Sequence, residues 1–268
     1  MQARLPPQHM VFGGGSESLV GPQLALVDDT VAGLLGSGKA VCVDDCMEAM
    51  LALVITPIVV APKVGAVGRV CHDLSAGQSA GVNASMDTTP VEPVYLLQPG
   101  DVVTVARYLE EVEPLEKVVA YRLDLKAYFS QLPWRVRDAW LTGQRHRGRT
   151  FIHRFATYGG SSVPGVASIV SNAVCDILAR RNIFVRVFLD DFVGVTVMSR
   201  VWEEIAALRE VLATFGLLEN MTKFIGPGPD VEILGVRFQF GVCSATVTQA
   251  RSARLQATVE GILGKRTV

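Results

Sequence analysis

The chain has 268 residues, 49% of them hydrophobic and 19% charged, which supports a sizeable core and excludes a disordered chain. The net charge of −1 lacks the basic excess usual in proteins that neutralise phosphates. The longest apolar run, residues 49–62, is interrupted by Thr56 and Pro57 and is too short to span a bilayer, and residues 1–9 hold no apolar stretch of a secretory signal.

Five scattered cysteines, Cys42, Cys46, Cys71, Cys175 and Cys243, argue against a disulfide framework. They suggest a reducing setting inside the cell, cytoplasm or nucleus. Cys42, Cys46, Cys71 and His72 do not fall at the common zinc spacings.

Residues 1–22 are rich in Pro and Gly and read as an extended arm. Residues 24–36 have helical spacing and stop at Gly36-Ser37-Gly38. That puts Gly33-x4-Gly38-Lys39, most of a phosphate-binding loop, at a helix end. Ala40 stands where such a loop needs Ser or Thr for its metal ion. Asp28-Asp29 falls where a helix would be capped. Asp44-Asp45 has no apolar strand after it.

Residues 54–60 form a β-branched strand pattern, 62–100 are turn-rich, and 102–111 are helical. Residues 118–123 read as a buried strand, 136–141 as a helix and 150–155 as an alternating strand. Arg and His residues crowd 135–154, a run that reads first as a solvated face. A long helix over 166–180 precedes two apolar strands, 184–189 and 192–197, joined by a two-residue Asp190-Asp191 turn. Helix 202–215, strand 231–240 and helix 250–263 complete the chain. This order suggests an α+β fold, a ferredoxin-like split βαβ antiparallel sheet with helices on one face.

Asp190 and Asp191 stand at the tip of an otherwise apolar hairpin, where two carboxylates repel each other. An ordinary polar turn would explain them; so would a hard divalent cation, magnesium or manganese, bound by their oxygens. Asp124 ends another apolar strand. If that strand pairs beside the hairpin, three carboxylates converge, and such a cluster can hold two metal ions about 4 Å apart. Asp73 and Asp138 end no comparable strand.

Leu123-Asp124-Leu125-Lys126-Ala127-Tyr128-Phe129-Ser130-Gln131-Leu132-Pro133 resembles the first palm motif of reverse transcriptases. Phe188-Leu189-Asp190-Asp191 resembles their aromatic-x-Asp-Asp box, and Tyr158-Gly159-Gly160-Ser161-Ser162-Val163-Pro164 the motif between them. Residues 55–83 are similar to the fingers block. Residues 217–223 and Ile233-Leu234-Gly235-Val236 resemble the last palm motifs. The five motifs occur in family order over residues 24–262. The nearest flavour is a retrotransposon enzyme of the tyrosine-recombinase (DIRS-like) kind.

The resemblance implies a right-hand polymerase: an arm at 1–22, fingers at 23–116, a palm at 117–240 with part of the fingers inserted at 134–157, and the start of a thumb at 241–268. It implies an RNA-directed DNA polymerase that extends a primer on an RNA or DNA template with dNTPs, without a membrane partner. Asp124, Asp190, Asp191 and the backbone carbonyl of Leu125 would bind Mg2+, or Mn2+ in its place. Lys63 and Arg69 would grip the triphosphate, or else be surface cations. Gly159 beside Tyr158 would let backbone approach the nucleotide. Phe129, or Tyr128 one residue earlier, would be the steric gate against a ribose 2′-hydroxyl, or both would be core aromatics. Lys223 would protonate the leaving pyrophosphate, or be a solvated lysine. The chain stops soon after its first thumb-like helix and is expected to be part of a longer polyprotein. Two other readings stand beside this one: a catalytically decayed palm that binds nucleic acid or protein, and an RNA-directed RNA polymerase, against which Phe129 argues.

Overall fold

The computed structural model describes residues 10–12, 16–43, 53–63, 65–86 and 96–264; Asp44, Asp45 and Cys46 lie outside the described residues. The chain forms two compact units, residues 1–93 with 127–167, and residues 94–126 with 168–268.

Strand β1 (Met10–Val11) is followed by helix α1 (Gly21–Gly36), which buries Val27 and Val31, one turn apart. The helix ends where Ser37 N–H donates to Gly33 O and Gly38 turns left-handed, so the loop-like glycines form a helix stop. Asp28 and Asp29 lie inside α1 rather than at its cap, because the helix begins earlier, with Pro22 in its first turn. Then come β2 (Ala40–Val43), β3 (Val54–Ile55), β4 (Ile58–Lys63), β5 (Ala66–His72) and the short α2 (Val82–Ser85). The turn-rich reading of 62–100 missed β5, whose alternation is hidden by Gly68 and polar residues.

Next are α3 (Pro99–Val112), β6 (Val118–Asp124), β7 (Gly143–His146), β8 (Arg149–His153) and α4 (Val163–Ala179). Residues 136–142 form a 3-10 turn in place of the expected helix. The chain continues through β9 (Val185–Phe188), β10 (Asp191–Val197), α5 (Val201–Thr214), β11 (Ile225–Gly228), β12 (Asp230–Ile233), β13 (Val236–Gln239), β14 (Ser244–Val247) and α6 (Gln249–Gly264). The expected strand 231–240 is therefore a hairpin. Leu234 and Gly235 both have positive φ, and this tight turn folds the apolar run back on itself.

The first unit holds a five-stranded sheet in the order β1-β3-β7-β8-β2 and a separate hairpin, β4–β5. Its apolar packing is split into small clusters, one under α1 around Val27, Val31 and Phe151, another around Val54, Leu74 and Val82.

The second unit is built on an antiparallel sheet in the order β11-β6-β10-β9. With α4 before β9 and α5 after β10, this is the split βαβ arrangement expected from the sequence. The central pair, β6 and β10, runs in register from Val118↔Val197 to Asp124↔Asp191. Its residues are buried on both faces, as their continuous apolar pattern requires. On one face Val118, Ala120, Val193, Val195 and Val197 pack with Val102, Ala106 and Leu109 of α3 and with Val231, Ile233 and Phe238. Residues 94–116, expected with the fingers, thus contribute a helix to this sheet. On the other face Thr196 donates to Glu204 of α5 at 2.7 Å, and the Tyr121 ring lies against Gly194. A Cβ on Gly194 would stand 2.1 Å from that ring, which explains a glycine in a central strand.

Candidate active site

The register of β6 and β10 sets Asp124 directly opposite Asp191. The hairpin turn is Leu189-Asp190, since Phe188 pairs with Asp191 across it. This corrects the expected Asp-Asp turn: Asp191 is the first residue of β10. Leu189 takes a φ of +57°, a conformation that two-residue hairpins usually give to glycine. Ser171 of α4 holds the strained turn by donating to Leu189 O at 2.7 Å. Leu125 N–H donates to Asp190 O at 3.0 Å, which draws the hairpin tip to the end of β6. Three carboxylates thereby meet at one end of the sheet.

Asp124 is buried. It accepts from Lys223 Nζ at 3.0 Å and from Asn220 Nδ2 at 3.2 Å. Asp191 accepts a two-pronged bond from Arg122, Nε at 2.9 Å and Nη2 at 2.8 Å. Burial raises the pKa of Asp190, and the charges of Asp124 and Asp191 raise it further. Burial also raises Asp191, with Arg122 opposing the shift. The cluster is thus short of positive charge even with two cations beside it. Among the described residues, no three His, Cys, Asp or Glu side chains are drawn into a ready-made metal cage. The donor set, three carboxylates with a backbone carbonyl close by, still fits a hard divalent cation.

The remaining residues singled out from the sequence lie in the first unit. Arg69 of β5 stacks its guanidinium over the Tyr158 ring, 4.4 Å from the centroid, and Phe129 lies 5.0 Å from the same ring. Lys63, at the end of β4, is exposed. Of the two neighbouring aromatics, Tyr128 is a core residue whose hydroxyl donates to Ala167 O at 2.7 Å, while Phe129 is half-buried. Gly159 has φ +116°, and a Cβ there would meet His72 O at 1.9 Å. The close approach that demands glycine is therefore to the backbone of β5. His72 N–H donates to Tyr158 O at 2.8 Å. Asn83 pins the same turn, donating to Gly159 O and accepting from Ser161 N–H, both at 2.9 Å.

The basic run 135–154 is not one solvated face. His146 and His153 are buried, and Arg147 pairs with Asp28 at 2.7 and 2.6 Å. Arg122 and Asn220 are the site neighbours that sequence reasoning left without a role. The available signal for Arg122 was its place two residues before Asp124, on the same strand face.

No protein-family model and no curated protein sequence matches the chain. Solved structures do. A foamy viral protease-reverse transcriptase in complex with double-stranded DNA superposes with a TM-score of 0.67 at 16% identity, over 97% of this chain and 52% of that one. The same kind of protein in complex with an RNA/DNA hybrid gives 0.66 at 17% identity, over 98% and 34%. A crystal structure of the prototype foamy virus protein gives 0.62 at 19%, over 87% and 27%. The chain thus spans between about a quarter and a half of these longer proteins. Over nearly its whole described length, the chain has a reverse-transcriptase fold.

Proposed function

We propose that the chain is an RNA-directed DNA polymerase core from a retroelement, extending a primer with dNTPs by nucleotidyl transfer on Asp124, Asp190 and Asp191. The observation that carries this reading is the Asp124↔Asp191 register, with Asp190 tied to Leu125 beside it, in a reverse-transcriptase fold. The three carboxylates and the Leu125 carbonyl would hold Mg2+ or Mn2+. Two such ions, when bound, supply activation of the primer 3′-hydroxyl and neutralisation of the leaving phosphate. Lys223, now on Asp124, is an ammonium suited to give a proton to pyrophosphate. Arg69 and Lys63 present a fork and a point charge for a triphosphate. Phe129 supplies the half-buried aromatic plate that would reject a 2′-hydroxyl. The partners are template, primer and dNTPs, together with other domains of a longer polyprotein.

One observation favours a second reading, a palm that binds nucleic acid without catalysis: Arg122 and Lys223 already occupy two of the three carboxylates. Primer extension decides. Purified protein with an RNA template, a DNA primer, dNTPs and Mg2+ is expected to lengthen the primer. Binding of the duplex with no extension in Mg2+ or Mn2+ would instead support the second reading.

A further inference from the structure

The three carboxylates are held unequally. Along β6, Arg122 and Asp124 share a face, and Asp191 lies opposite Asp124 on that face. Arg122 therefore reaches diagonally across the strand pair, and its fork covers both oxygens of Asp191. Asp124 is held by Lys223, a single ammonium on a side chain that is 57% exposed. Asp190 feels Lys223 as a nearby charge, and its own backbone N–H also favours its charged form.

Resting on the cation-site reading above, we propose that Arg122 is a positioning residue that withholds Asp191, so that Asp124 and Asp190 take the first divalent cation while Asp191 stays with its arginine. A cation that recruited Asp191 would have to break two charge-assisted hydrogen bonds and leave a half-buried guanidinium without its counter-charge. Displacing Lys223 frees a flexible side chain into water at far lower cost. The site therefore loads in order, and Arg122 sets the threshold.

The test is an electron paramagnetic resonance titration of the full chain with Mn2+ alone, without nucleotide or nucleic acid, with folding followed by circular dichroism. Arg122→Gln frees Asp191 and is expected to tighten Mn2+ binding about tenfold. Asp191→Asn leaves Arg122 uncompensated and weakens it. The double variant removes the pair as a neutral unit and is expected to return to within about twofold of wild type, whereas Asp190→Asn weakens binding about tenfold or more. A double variant as weak as Asp190→Asn would mean that Asp191 is a ligand throughout, and the proposal fails. It fails equally if Arg122→Gln folds and binds no tighter. Should Arg122→Gln not fold, Arg122→Lys keeps the charge without the fork and is expected to tighten binding about threefold; unchanged affinity overturns the proposal. Binding that depends on Asp190 but ignores Arg122 sinks this proposal alone. No Mn2+ binding by any form sinks the cation-site reading and this proposal with it.

Discussion

The two units bury polar groups in opposite ways. The first hides a neutral pair: His72 Nε2 and His153 Nε2 lie 2.9 Å apart, and Gln144 Oε1 lies 3.1 Å from the latter. The second unit instead gathers three carboxylates and sets Arg122 and Lys223 against them. Acid loads charge onto the first cluster and relieves it from the second. A group buried for packing is kept uncharged, whereas a group buried for chemistry is kept charged at a cost.

The sharpest way to break this comparison is to neutralise one carboxylate. Asp124→Asn should lower single-nucleotide addition by about a thousandfold or more, because ligand charge is lost, while the melting temperature holds or rises. Rates within tenfold of wild type would return Asp124 to an ordinary strand end. On the other side, Gly159→Ala drives a Cβ into His72 O and should cost the first unit about 3 kcal/mol, read as a lower urea midpoint. An unchanged midpoint would show that β5 yields to the turn.

A smaller effect follows from pH. Burial pulls the His153 pKa down to about 3 and also lowers that of His72. Both imidazoles bind protons more readily in the unfolded chain, so the stability of the first unit is full above pH 6.5 and falls as the pH drops below it. By pH 5 the loss from His153 alone is about 2 kcal/mol. His153→Gln should flatten that slope in a denaturation series, and a slope that persists would place its origin elsewhere. The smallest change is in sugar choice: Phe129→Ala should raise ribonucleotide over deoxyribonucleotide use about tenfold in an active preparation. No change would make Phe129 a packing residue only.

The strands that carry the carboxylates were legible because a central strand buried on both faces is a long apolar run, and Asp124 and Asp191 end two such runs. The exact turn was not. Placing Leu189 at positive φ costs energy that Ser171, 18 residues away, helps to offset, and no local preference signals it. Arg122 looked like one polar residue in a strand, since its partner lies 69 residues on and depends on register. His72 and His153 are separated by 81 residues, and their contact likewise arises from how the sheets fold. Hairpin β12–β13 was read as one strand because Leu234 hides the turn; only Gly235 marked it.

The central claim is that the carboxylate cluster on β6 and the β9–β10 hairpin transfers nucleotides. It is tested most directly by running wild type and Asp190→Asn side by side on a primed RNA template with dNTPs and Mg2+. The account predicts that wild type extends the primer and that Asp190→Asn, equally folded and equally able to bind the duplex, adds nucleotides about a thousandfold more slowly. Equal extension by both proteins, or none by either, contradicts it.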